Sequence, residues 1–223
     1  KDIDKVFIQI GLKGKLIGQL ESLIRKNKIN FSYVPTQKLD RLSKKNHQGV
    51  IARISPIKFY NINEFSEIIE KSKIPFILIL DQISDVRNFG AIIRTAEISG
   101  VDGIIIQNSS SAPINSDTVK TSAGAIFNIP ICKVSHIKDA IYHLQSMDIS
   151  IICASEKAEK NIYDVNFKRP VAIIMGSEQK GINKSVLSLS DEMVKLPMFG
   201  KIESLNVSVA CGIFLYEVVR QRI

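Results

Sequence analysis

Residues 76–100, "FILILDQISDVRNFGAIIRTAEISG", decide the fold. The opening "FILIL" is apolar without alternation, which is how a strand reads when both of its faces are covered. A polar turn follows. "FGAIIRTAEISG" then carries apolar residues at i, i+3 and i+4, the spacing of a helix lying on such a sheet. A buried strand leading into an amphipathic helix is the building unit of a parallel sheet with helices on both faces.

The unit recurs toward the carboxyl end. "GIIIQ" (103–107), "PICKV" (130–134), "ISIICA" (149–154), "VAIIM" (171–175) and "MVKL" (193–196) are expected strands, and "VSVACGIFLYEVVRQ" (207–221) is a long apolar helix. The amino-terminal part has a different texture. "KVFIQI" (5–10), "INFSYV" (29–34) and "GVIARISPI" (49–57) read as strands. "GKLIGQLESLIRKNK" (14–28) reads as a helix with Leu16, Leu20, Leu23 and Ile24 at helical spacing, and "PTQKLDRLSKKN" (35–46) as a short basic helix opened by Pro35. The segment before Pro75 holds a short amphipathic helix and reads as a connection. The expected architecture is α/β throughout, with a small βαβαβ domain over 1–58, a linker over 59–75 and a parallel-sheet domain over 76–223.

Thirty Lys and Arg against 22 Asp and Glu give a net charge of +8, which favours a polyanionic partner, nucleic acid above all. A lysine-rich surface without a partner is the plain alternative. No apolar run approaches the ~20 residues that span a bilayer. Cys132, Cys153 and Cys211 lie far apart with no CxxC and read as small core residues in a reduced, cytoplasmic setting. His47, His136 and His143 have no metal-ligand spacing, so no metal is expected. The chain opens at Lys1 rather than Met, and some residues are expected to precede it.

Ligands of parallel sheets collect at the carboxyl ends of the strands, and three of those ends are unusual. "DQISDVRNFGAIIR" offers Asn88, Gly90 and Arg94; "GSEQKGI" offers Gly176, Glu178 and Gly181; "PMFGKIESLNVS" offers Ser204, Leu205 and Asn206. Arg94 sits in an otherwise apolar helix and keeps its charge, so it requires a phosphate or an internal ion pair with Asp81 or Asp85. Gly176 serves either a close backbone approach to a ligand or a steep turn. Asn206 is a good N-cap for the helix after it. "GSEQKGINKS" departs from a phosphate loop, because Ile182 and Asn183 intervene before Lys184 and Ser185. A GxGxxG fingerprint is absent.

Together, "NFGAIIRTAE", "IIMGSEQKGI" and "LPMFGKIESLNVSVACGIFLYEVVRQ" resemble, in order and spacing, the three motifs of the SPOUT superfamily of RNA methyltransferases, in its SpoU branch. The first domain resembles, more loosely, an RNA-binding domain of ribosomal-protein L30e type, with "HQGVIARI" (47–54) similar to its closing segment. The two-domain layout is most similar to the bacterial members that methylate a guanosine of 23S rRNA.

The resemblance implies S-adenosylmethionine as cofactor, bound in a deep trefoil knot by Gly176, Leu196 and Leu205, with Met198 and Ala154 flanking. It implies a catalytic set of Arg94, Asn88, Glu178, Ser204 and Asn206, with Ser204 and Asn206 satisfying buried polar groups. It further implies an RNA partner held through the basic residues of the first domain, and a homodimer packed through the carboxyl-terminal helices. The reaction would be attack of a ribose 2'-hydroxyl on the sulfonium methyl, with transfer RNA as the alternative substrate. A non-catalytic RNA-binding protein of the same fold is the alternative class. Arginine is a poor proton acceptor, so Arg94 is expected to fix the phosphate and stabilise the forming alkoxide. Glu178 is the carboxylate that could take the proton.

Overall fold

The structure, a computed structural model, describes residues 3–202 and 204–223; Lys1, Asp2 and Glu203 lie outside the described residues. The chain divides into two units, Lys1–Lys58 and Phe59–Ile223.

The first unit runs β1 (Ile3–Gln9), α1 (Lys15–Lys26), β2 (Phe31–Val34), α2 (Thr36–Leu42) and β3 (Val50–Ile54). Its sheet has the order β2-β1-β3, with β2 parallel and β3 antiparallel to the central strand. Alternate residues of β1 face opposite ways. Val6 and Ile8 pack with Ile24, whereas Phe7 packs with Val34 and Leu39. The expected stripe on α1 is narrower than its spacing suggests. Ile24 is buried and Leu20 packs beside it, but Leu16 and Leu23 are 80% and 57% exposed. At about 100° per residue both fall roughly 80–100° round from Ile24, off the sheet-facing side. Lys13, Lys15, Arg25, Lys26, Lys28, Lys38, Arg41, Lys44 and Lys45 are all exposed.

The second unit begins with α3 (Ile62–Ile69), β4 (Phe76–Asp81), α4 (Val86–Ile98), β5 (Gly103–Gln107), α5 (Ser116–Thr121) and β6 (Ile131–Val134). It continues through α6 (Ile137–Gln145), β7 (Ser150–Ala154), β8 (Lys160–Asn161), β9 (Val171–Gly176), α7 (Lys184–Leu187), β10 (Glu192–Lys195) and α8 (Val207–Arg222). The sheet order is β6-β5-β4-β9-β7-β10-β8, and every neighbouring pair is parallel. All of β4 is buried, as a central strand covered on both faces must be.

The segment expected as a linker over 59–75 is instead part of this unit's core. Asn61 Oδ1 accepts from the backbone N–H of Asn63 and Glu64, each at 3.0 Å, and Glu64 answers the Asn61 N–H. The helix so started buries Phe65 and Ile69 completely in the main hydrophobic cluster. β5 opens on a glycine for the same reason: a Cβ at Gly103 would meet the Phe65 ring at 2.3 Å.

α8 is apolar on two sides. Val207, Cys211, Phe214, Leu215 and Val218 are buried, while Val209, Ile213 and Tyr216 are 52%, 36% and 50% exposed. Its end is fastened by Arg222, which donates to the carbonyl oxygens of Ile74 (2.8 Å), Phe167 (3.0 Å) and Arg169 (2.7 Å). Burial pushes the thiols of Cys132, Cys153 and Cys211 up to about 12, so they are neutral packing groups. No helix among the described residues is long and apolar enough to cross a membrane.

Candidate active site

Two helix starts meet at the carboxyl edge of the sheet. Asp85 Oδ1 accepts from the N–H of Arg87 (2.9 Å) and Asn88 (2.8 Å) and so caps α4. Asn206 Oδ1 accepts from the N–H of Ser208 (3.0 Å) and Val209 (3.4 Å) and caps α8. An amide cap has a second end, and here it is used. Asn206 Nδ2 donates to Asn88 Oδ1 at 3.0 Å and to Glu178 Oε1 at 2.6 Å. The Val207 N–H adds a third hydrogen bond to the cluster, 3.2 Å from the same carboxylate oxygen. Three residues far apart in the chain thus form one hydrogen-bonded group.

Gly176 ends β9 where the tight turn after it folds the backbone back against it. A Cβ there would lie 2.2 Å from the Gly181 carbonyl carbon and 2.3 Å from the Ile182 nitrogen. The turn between is closed by a 2.8 Å bond from Gly181 N–H to the Ser177 carbonyl. The glycine is therefore required by the backbone fold itself, which joins the two sequence-based readings of that position: a steep turn and a close approach. Asp81, at the end of the adjacent β4, secures the far side by accepting from Asn183 N–H at 2.7 Å.

Behind this turn lies a cleft of about 340 Å³, formed by the chain after β7, β9 and β10 and the start of α8. Gly176, Leu196, Leu205, Met198 and Ala154 all line it, as do Glu178 and Ser204. Met175 and Phe214 add apolar floor, and Glu156, Lys157, Lys180 and Lys195 bring charge to the walls. Sequence reasoning passed over Glu156, Lys157 and Lys195. Their signal is positional, since each stands at or just beyond a strand's carboxyl end.

Two expected residues are placed otherwise. Ser204 is exposed at the cleft and does not satisfy a buried polar group, because the chain before α8 runs along the surface there. Arg94 lies outside the Asn88–Glu178–Asn206 cluster, about 9 Å along α4 from Asn88 at 1.5 Å per residue. Its guanidinium is exposed and has no hydrogen-bond or ion-pair partner among the described residues. The internal pair with Asp81 or Asp85 is not formed, since those carboxylates hold Asn183 and the start of α4. Among the described residues no group of three or more His, Cys, Asp or Glu could hold a metal ion.

Residues 75–216 match the SpoU rRNA Methylase family, and residues 1–60 match the family described as RNA 2'-O ribose methyltransferase substrate binding. The chain belongs to the SpoU methylase family. The relatives of this SpoU chain include the 23S rRNA (guanosine-2'-O-)-methyltransferase RlmB of Vibrio vulnificus, 38% identical over 82% of this chain and 74% of that protein. The putative TrmH family tRNA/rRNA methyltransferase YacO of Bacillus subtilis is 35% identical over 92% of this chain and 82% of its own. Among solved structures, the SpoU methyltransferase AviRb of Streptomyces viridochromogenes, in complex with the cofactor AdoMet, has a TM-score of 0.68. It covers 99% of this chain and 83% of that one at 23% identity, which speaks for a shared α/β SPOUT fold.

Proposed function

We propose that the protein uses S-adenosylmethionine to methylate a ribose 2'-hydroxyl of RNA, at a guanosine of 23S rRNA. One observation carries the reading: the cleft lined by Gly176, Leu196, Leu205, Met198 and Ala154 opens beside the Asn88–Glu178–Asn206 cluster. The relatives named for guanosine-2'-O-methylation of 23S rRNA support the substrate. The family match over residues 1–60 supports a role for the exposed basic residues of the first unit in holding RNA phosphates.

The cleft suits the cofactor. Its size lies in the range of about 300–1,000 Å³ usual for small-molecule sites. Leu196, Leu205, Met198 and Phe214 offer an apolar bed for an adenine ring. Glu156 and Glu178 complement positive charge, and Lys157, Lys180 and Lys195 complement a carboxylate. When bound, the cofactor supplies a methyl group on a positively charged sulfur. We infer that Gly176 belongs to a trefoil-knotted crossing. The match of residues 75–216 to the SpoU rRNA Methylase family supports this.

The chain's own residues have distinct tasks. Asn206 orients Glu178 and Asn88 while it fixes the start of α8. Glu178 Oε2 makes no hydrogen bond among the described residues, so this carboxylate retains an acceptor for the proton leaving the 2'-hydroxyl. Arg94, exposed and unpaired among the described residues, takes an RNA phosphate and stabilises the alkoxide as it forms. Ser204 donates to bound ligand at the rim of the cleft.

The reading includes a homodimer in the cytoplasm. α4 and α8 begin together at Asn88 and Asn206, and farther along Thr95 packs against Gly212, so the two helices run parallel. By helical phase, Arg94 and Ile98 on α4 then face the same side as Val209, Ile213 and Tyr216 on α8. An exposed apolar stripe beside an unpaired arginine suits a second copy that brings its RNA to Arg94.

Mapping of ribose methylation across total RNA, with and without the gene, tests the function. Loss of a single methylated guanosine in 23S rRNA is the expected result. Loss in transfer RNA instead would move the substrate, and an unchanged map would overturn the proposal.

A further inference from the structure

A second cleft of about 360 Å³ adjoins the first and shares with it Ser177–Lys180 and Val207. It opens between the carboxyl ends of β4 and β9, neighbouring parallel strands from which the chain departs to opposite sides of the sheet. Such a divergence is where open α/β sheets take ligands. One loop therefore separates two hollows.

The second hollow is polar and its walls are fixed. Ile83 and Val207 are its apolar lining residues. The Ala112 N–H donates to the Ile83 carbonyl at 2.8 Å, which ties the turn after β4 to the turn after β5. Gln82 and Ser110, both at the cleft, have φ of 62° and 70°. Glycine adopts that left-handed region without strain, whereas glutamine and serine do not. Their side chains make no hydrogen bond among the described residues, so intramolecular bonding does not account for the strained positions. Gln82 leaves a free amide donor and acceptor at the cleft. Asp85 uses Oδ1 for its cap and leaves Oδ2. Lys180, unpaired among the described residues, adds a cation.

We propose that this second cleft receives the acceptor nucleotide and that Gln82, with Asp85, reads its base as guanine. The inference rests on the methyltransferase reading above and adds the residues that choose the base. Guanine presents one acceptor, O6, and two donors, N1–H and N2–H₂. The Gln82 amide N–H complements the first, and the Gln82 carbonyl and Asp85 Oδ2 complement the other two. Adenine lacks both ring-edge donors that the Asp85 carboxylate and the Gln82 carbonyl would accept. Lys180 suits the nucleotide's phosphate.

The test uses synthetic RNA hairpins copying the mapped site, with guanosine, inosine or adenosine at the acceptor, under single-turnover conditions. Gln82→Gly removes the side chain and relieves the backbone, so the variant is expected to melt no lower than wild type and to bind S-adenosylmethionine equally well. Its preference for guanosine over adenosine is expected to fall at least tenfold. Asp85→Asn keeps the helix cap and is expected to lose the preference for guanosine over inosine. Wild-type base preference in both variants would overturn the assignment. A wild-type protein that methylates no RNA would instead remove the function on which it rests.

Discussion

Asn206 Nδ2 stands 2.6 Å from Glu178 Oε1, while the same residue's Oδ1 caps α8. One side chain thus couples the start of the last helix to a carboxylate on the loop after β9. The coupling separates structure from chemistry. Asn206→Asp keeps the cap acceptor but turns the donor into a second carboxylate oxygen facing Glu178. Methylation is expected to fall at least a hundredfold with the cap retained, whereas Asn206→Ala loses both and costs about 1–2 kcal/mol of stability as well. Melting curves beside single-turnover rates check this, and equal stability loss in the two variants would contradict the division.

Gly176→Ala places a methyl group onto the backbone of Gly181 and Ile182 at 2.2–2.3 Å, where no side chain can swing away. Loss of cofactor binding is expected, with destabilisation on the order of 3 kcal/mol or more. Gly181→Ala is the control. It has φ of 65° but nothing within 4 Å of a Cβ, so a cost of about 1 kcal/mol is expected. Calorimetric titration and thermal melts report the two effects. Equal damage from both would show that backbone conformation, rather than the close approach at Gly176, makes the site.

Arg94→Ala removes an exposed side chain with no partner among the described residues. Stability is expected to change by less than about 0.5 kcal/mol. S-adenosylmethionine affinity should be unchanged and methyl transfer lost. Full residual turnover would dismiss Arg94 from the reaction.

The exposed stripe of α8 gives an independent prediction. Ile213→Asp puts a charge in the middle of Val209, Ile213 and Tyr216. Sedimentation is expected to show a dimer for wild type and a monomer for the variant, with the fold intact. A monomeric wild type would leave the stripe without its proposed occupant.

Much of the second unit is legible in the sequence, because strands buried on both faces are spelled in unbroken apolar letters. "FILIL" and "GIIIQ" become β4 and β5 almost residue for residue. The reading of 59–75 as a linker with a short helix misses that α3, started by the capping box of Asn61 and Glu64, sends Phe65 and Ile69 into the core of the second unit. It also misses what Gly103 is for, since a glycine's missing Cβ has meaning only when the ring of Phe65 is seen above it. In the site, motif spacing identifies Asn88, Glu178 and Asn206, but their mutual bonds depend on how the sheet brings distant loops together. Arg94 shows the opposite limit. Its helical position is readable, yet no partner among the described residues marks what it does. The strain at Gln82 leaves no trace in composition or periodicity; it exists only as a backbone angle.

The most direct measurement incubates the purified protein with unmethylated ribosomal RNA and S-adenosylmethionine carrying a deuterated methyl group, then digests the RNA to nucleosides for mass spectrometry. Label in 2'-O-methylguanosine, abolished by Asn206→Asp, is the expected result. Label on a base, or none in any nucleoside while the cofactor binds, would contradict transfer to a ribose hydroxyl.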